Sequence, residues 1–294
     1  MATLFDLIIV HENKDYAQQA AWEAIKEIDR LENELSRFRH NSDISRINNL
    51  KAGERIVLSV DAFNCISRSI ELHKETLGTF NIACGALLKC WLNPDYTLRN
   101  PSNDEIESAI KKSQIENIVL HYEDYSIEIL EEGTIIDLGA FGKGYTIDII
   151  AETLKEWEID CALLSAGRSS IKAIGKPQGL VGWNISISNP FNQREIIKTL
   201  SLNDISIGAS GLNKGFHIIN TIAGKPEEKK KGCWVFSDSC TNADAFSTAF
   251  MSMENDSIQQ TISKNRNLSC LVIEMKENLH AVVVNEFSKL PPTA

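Results

Sequence analysis

The chain has no excess of positive charge, no paired cysteines and no long apolar run. Lys and Arg number 30 against 40 Asp and Glu, which leaves a formal net charge of -10 and a pI near 5.2. Such a field repels nucleic acid and anionic membrane surfaces, so neither is an expected partner, and an anionic ligand must be held by local groups. The seven cysteines, at 65, 84, 90, 161, 233, 240 and 270, are odd in number and scattered. None forms a C-x-x-C pair or stands beside a histidine at zinc-ligand spacing, and this predicts reduced thiols in a cytoplasmic protein. The opening MATLFDLIIVHENKDY lacks a basic leader, a long apolar core and a small-residue cleavage site, and no stretch approaches the length of a membrane span. No membrane insertion is therefore expected; an export signal lost ahead of this start would instead make the chain an exported lipoprotein. Internal repeats and low-complexity tracts are also missing.

What is present suits an ordinary globular fold. With 294 residues and 43% hydrophobic content, the chain can fill one large core over 1–294, or two intimately packed α/β subdomains. Residues 16–38 carry Ala21, Ile25, Ile28, Leu31, Leu35 and Phe38 at steps of three and four, the stripe of an amphipathic helix. A second helix is predicted from Asp61, as N-cap, to Leu77, with Gly78 ending it. Shorter helices are expected near 103–113, 145–157 and 241–253. Strands are expected at 4–10, 117–121, 126–130, 134–138, 161–165, 183–188, 204–208, 270–275 and 280–285 from β-branched and apolar content. The charged run GKPEEKKKG at 224–232 reads as a solvated loop. Several strands follow each other too closely for helical crossovers, so the fold class is α+β with mixed sheets and not a purely parallel sheet.

Two stretches carry chemistry. IIDLGAFGKGY, 135–145, crowds Asp137, Gly139, Gly142, Lys143 and Gly144 into a junction between an expected strand and an expected helix. Glycines there let the backbone approach a phosphate, the helix N-terminus favours its charge, and Lys143 adds a full positive one. The spacing is neither that of a P-loop nor that of a Rossmann fingerprint, so tight-turn packing is an equal reading. In CTNADAFSTAFMSM, 240–253, Asp244 and Thr248 fall one helical turn apart. A carboxylate and a hydroxyl on one face suit Mg²⁺, which takes few protein ligands; the alternative is that Asp244 caps the helix and Thr248 packs by its methyl.

In chain order, LSRFRHNSDISRIN (35–48), GTFNIACGALLKCW (78–91), IDLGAFGKGYTID (136–148), CALLSAG (161–167), GFHIINTIAGKP (215–226) and TNADAFSTA (241–249) resemble the ApbE family of FAD:protein FMN transferases. The resemblance implies a T-fold-like α+β architecture and an enzyme that uses Mg²⁺ and FAD to attach FMN to a threonine of an acceptor flavoprotein, releasing AMP. It also implies that Asp244, Thr248 and the carbonyl of Ala140 hold the metal, and that Met1, Phe38, Ala83, Cys84, Gly85, Asp137, Lys143 and Ile219 lie against FAD. Phe38 can stack on a ring of the dinucleotide or close the first helix as a core residue. His217 is the candidate base for the threonine proton, or else a structural histidine. Cys84, flanked by alanine with no basic neighbour, reads as a small buried residue and not as a nucleophile. The chain departs from the family pattern at Asn81 and Asn220, where the family has Asp. It departs again at Arg168 and Ser169, where the family has Gly-Asp, and at ASGLNKGF. These changes bear on the adenine and ribose contacts, the rate or the acceptor, so an FAD-binding protein, or a pyrophosphatase giving FMN and AMP without transfer to a protein, is the alternative.

Overall fold

The computed structural model describes residues 3–212, 215, 217–276 and 281–292; the Met1 expectation lies outside them. In chain order the elements are β1 (Phe5–Ile9), α1 (Lys14–Leu35), α2 (Asp43–Ile47), β2 (Arg55–Val57), α3 (Val60–Glu75), α4 (Gly85–Trp91), α5 (Asn103–Lys112), β3 (Ile118–His121), β4 (Ser126–Ile129) and α6 (Gly142–Glu156). They continue as β5 (Ala162–Ala166), β6 (Ser170–Ile174), β7 (Trp183–Asn189), β8 (Asn192–Leu202), β9 (Ser206–Gly211), β10 (Ile219–Asn220), β11 (Lys225–Pro226), β12 (Lys230–Ser237), α7 (Cys240–Ser252), α8 (Asn255–Lys264), β13 (Ser269–Lys276) and β14 (Ala281–Phe287). The class is α+β, and the chain divides into two compact units, each assembled from separate segments.

One unit comprises Arg30–Gly142 and the described residues of 214–228. It holds the β2-β4-β3 sheet and the β10-β11 pair, both antiparallel. Phe80, Ile82, Leu87 and Phe141 are fully buried there, with the Phe80 and Phe141 rings 5.7 Å apart. Helix α3 starts at Val60, one residue before Asp61: the Ser59 side chain accepts from Ala62 N and is the N-cap, while Asp61 sits in the first turn and pairs with Arg30 at 2.7 Å. Gly78 does follow its end, with φ +82 and its N–H on the His73 carbonyl. The strand expected at 134–138 is absent. That segment forms an isolated parallel bridge from Ile135 to Cys84, Asp137 N donates to the Ile82 carbonyl, and the Asn48 side-chain amide both donates to and accepts from Ile136.

The second unit comprises residues up to Asp29, Lys143–Asn213 and Lys229 onward. Among the described residues its centre is a seven-stranded sheet in the order β1-β5-β6-β9-β12-β13-β14, antiparallel at every ladder. Ala20 and Ala24 of α1 and Ile147, Ile150 and Leu154 of α6 pack with Ala162 and Leu164 of β5 in one core cluster. Leu200 and Leu202 of β8 pack with Ile207, Phe236 and Leu271 in another. Helix α7 lies against β6, β9 and β12. The charged run at 224–232 is not a solvated loop. It holds β11 and the start of β12, and Lys230 is buried because its ammonium donates to the carbonyls of Phe250, at 2.8 Å, and Met253 at the end of α7. Lysine suits that place, since it satisfies carbonyls that have no helical partner and meets the negative end of the helix dipole. Among the described residues no helix is long and apolar enough to cross a membrane.

Candidate functional site

The N-terminus of α7 is built from outside the helix. Ser239 is its N-cap, accepting from Asn242 N, and Asp148 of α6 accepts from Cys240 N at 3.0 Å and Thr241 N at 2.8 Å. Lys172 of β6 holds Asp148 in turn, with Nζ 3.0 Å from Oδ1. The capping role is thereby filled, and Asp244, in the second turn, is free of it.

Asp244 instead points into protein and is 3% exposed. Its Oδ2 accepts from the backbone N–H of Gly144 at 2.9 Å, and the Ser170 hydroxyl lies 2.8 and 2.7 Å from its two oxygens. Lys143 Nζ is 3.9 Å away, an ion pair without a hydrogen bond. Burial pushes the Asp244 carboxyl up to about 6, against the downward pull of Lys143, Ser170 and Gly144. One turn on, Thr248 Oγ1 lies 3.0 Å from Ser210 Oγ of β9, which is also 2.8 Å from Ser247 Oγ. Two glycines permit this packing. A Cβ on Gly144 would stand 2.3 Å from the Cys240 carbonyl oxygen, and one on Gly208 would stand 2.1 to 2.3 Å from backbone atoms of Ala243 and Asp244. Thus α6 and β9 approach the backbone of α7 directly, and both bring polar groups to the carboxylate and hydroxyl face.

These donors fit a hard divalent cation. A nearly dry carboxylate and a hydroxyl one turn away are oxygen ligands of the kind Mg²⁺ takes, with the remaining positions left to water or phosphate. Among the described residues no three His, Cys, Asp or Glu side chains gather as a metal cluster, so a cation here rests on mixed donors.

The other expected site residues belong to the first unit. Asp137 accepts from Gly139 N at 2.7 Å through Oδ1 and pairs through Oδ2 with Arg37 Nε at 3.3 Å. Phe38 is 65% exposed, which removes the core reading, and the Arg37 guanidinium stacks 4.7 Å from its ring centroid. Ala83 and Cys84 lead into α4 at Gly85, and Asn81 holds this entry: its Oδ1 accepts from Ala83 N and its Nδ2 donates to the Ser113 carbonyl. An aspartate could make the first of these bonds but not the second, which gives the Asn81 departure a structural role. Burial, with Asp137 adding to it, pushes the Cys84 thiol well above its ordinary range, so no thiolate is available there. Ile219 is buried with Leu87, Cys90 and Ala109. His217 Nδ1 lies 3.1 Å from the Gly215 carbonyl oxygen. Asn220 Oδ1 accepts from Ala223 N, closing the turn between β10 and β11. The Ala140 carbonyl precedes α6 by two residues.

Ser170, Ser210 and Asp148 are the members of this site that sequence reasoning missed. Ser170 meets Asp244 across 74 residues of chain, and no local spacing signals such a bond.

A sequence model of the ApbE family matches residues 1–272. The FAD:protein FMN transferase of Vibrio cholerae is 26% identical over 247 residues, covering 77% of this chain and 72% of that one. The solved flavin transferase ApbE of Vibrio cholerae superposes with a TM-score of 0.87 at 21% identity, covering 98% of this chain and 94% of the other. The ApbE protein of Thermotoga maritima gives a TM-score of 0.84 at 22% identity, with 97% and 96% covered.

Proposed function

The chain belongs to the ApbE family, and from that membership we propose that it transfers FMN from FAD to a protein, with a threonine of an acceptor flavoprotein as the attacking group and Mg²⁺ as the metal. The observation that carries this reading is the buried Asp244 carboxylate, held by Gly144 and Ser170, with Lys143 at 3.9 Å. Asp244 and Thr248 would hold the cation, with the Ala140 carbonyl as a third donor on the strength of the motif, and a cation held there would supply Lewis-acid neutralisation of pyrophosphate charge. Lys143 supplies a fixed positive charge toward the same phosphates. Phe38, the α4 entry at Ala83, Cys84 and Gly85, Asp137 and Ile219 line the flavin, with Met1 assigned by resemblance alone. His217 takes the proton of the threonine hydroxyl as its oxygen bonds to the FMN phosphorus; the phosphoanhydride bond breaks and AMP leaves with the electron pair.

We place the protein in the cytoplasm, with its own cysteines reduced. The test is incubation with FAD, Mg²⁺ and candidate flavoprotein acceptors, followed by mass measurement of protein and nucleotides. An acceptor gaining one FMN with release of AMP is the expected result. Free FMN and AMP beside an unmodified acceptor would establish the pyrophosphatase instead, and intact FAD would overturn both.

A further inference from the structure

We infer that Arg168 is a second phosphate-binding cation for the dinucleotide substrate, acting beside Lys143. The hairpin between β5 and β6 turns through Ala166, Gly167, Arg168 and Ser169, and Ser169 N–H donates to the Ala166 carbonyl at 3.3 Å. Both central residues have positive φ, +60 at Gly167 and +59 at Arg168. That is the backbone of a type I′ hairpin turn, in which Gly, Asn or Asp sits with less strain than a long side chain. An arginine kept in a left-handed conformation needs a reason, and packing does not give one. Arg168 is exposed and has no hydrogen bond or ion pair among the described residues. In a chain with ten more acids than bases, a guanidinium left unpaired is poised for an anion from outside.

The turn is fixed against the site on three sides. A Cβ on Gly167 would lie 4.0 Å from Lys143 Cδ, so the residue before Arg168 borders the Lys143 stem. The Ser169 carbonyl accepts from Ala209 N at 2.7 Å, and Ser170 bonds both oxygens of Asp244. Arg168 thus lies one residue from the neighbour of Lys143 and two from the partner of Asp244. Arg168 brings a full positive charge to the turn that borders an ammonium already assigned to phosphate. A planar guanidinium can grip two phosphate oxygens at once, which a lysine cannot.

The inference rests on the reading of Lys143 as a phosphate ligand, and the test separates the two. FAD and riboflavin are titrated against the wild type, Arg168→Gly and Arg168→Lys, following flavin fluorescence. Wild type should favour FAD. Arg168→Gly should lose about tenfold in FAD affinity with riboflavin binding unchanged, and the loss should shrink as ionic strength rises. Its Tm should hold or rise, because glycine accepts the turn, and Arg168→Lys should recover part of the loss. A wild type that binds both ligands equally overturns the phosphate reading of Lys143 and this inference with it. A wild-type preference for FAD that Arg168→Gly retains in full, or a loss equal for both ligands, overturns the Arg168 assignment alone.

Discussion

Asp244 is a carboxylate placed where water is nearly excluded, and what suits it to the proposed metal role also makes it a burden on the metal-free protein. Its folded pKa of about 6 lies above the ordinary 3.8. Between those values the folded state holds a proton that the unfolded state has lost, so stability falls as pH rises through this window and the penalty is complete above about pH 6. At about 1.4 kcal/mol per pH unit, the upper bound is roughly 3 kcal/mol. Asp244→Asn keeps an oxygen for Gly144 and cannot ionise. In the absence of metal it should raise stability at pH 7 by about 1 to 3 kcal/mol, with little gain near pH 4, while abolishing Mg²⁺-dependent turnover. Urea melts at the two pH values check the first part; equal effects at both would mean that ionisation of Asp244 is not the source. A gain in stability bound to a loss of activity is what a site strained for function produces.

Helix α7 depends on elements that leave no room for a side chain. Gly208→Ala places a Cβ within 2.1 to 2.3 Å of the backbone of Ala243 and Asp244, and backbone cannot swing away as a flexible side chain can. Strand β9 must move off the helix, carrying Ser210 away from Thr248. We expect destabilisation of about 3 kcal/mol or more and weakened Mg²⁺ dependence. Gly142→Ala is the control, because its Cβ would meet only Leu138 Cβ at 3.5 Å. Thermal melts of the two variants should separate clearly; comparable losses would show that the close approach at Gly208 is not what limits the packing. The same contrast divides the glycine-rich junction: Gly144 is required for contact with α7, whereas Gly142 is not.

Elements were legible where one periodicity dominated. The stripe of α1 stands out because one face meets a core and the other meets water, and α3 was read from the residues at its ends. Strands β6 and β12 were not legible, since each spends a lysine internally: Lys172 on Asp148 and Lys230 on the end of α7. A charge in sequence reads as solvent until its partner is known. The segment 134–138 has the composition of a strand but finds Asn48 in place of a ladder. Within the site, Asp244 and Thr248 were readable from their spacing of four, whereas Ser170 and Ser210 arrive from other strands through contacts that only the fold creates.

At the scale of the whole molecule, the seven cysteines remain free thiols, five of them buried and two, Cys84 and Cys161, partly exposed. Titration under denaturing conditions should find all seven. In the native state Cys161 should react, and slowly, because burial raises its thiol, whereas Cys84, with no thiolate available, should react only on unfolding. Fewer than the full number on denaturation would reveal disulfides and move the protein out of a reducing compartment. Cys65 is buried within α3, so it is in no position to carry a lipid while the fold is intact.

The ends of α7 have one more consequence. Ser239 and Asp148 occupy its first N–H groups, and the buried ammonium of Lys230 occupies the carbonyls of Phe250 and Met253. Helix termini ordinarily fray and lose amide deuterium early, whatever the stability of the body behind them. A helix tied at both ends has no such shortcut. Deuterium exchange along 240–252 should therefore be uniform, with the first and last turns as slow as the middle, and the slowest rate there reads out the opening of the entire sheet-bearing unit.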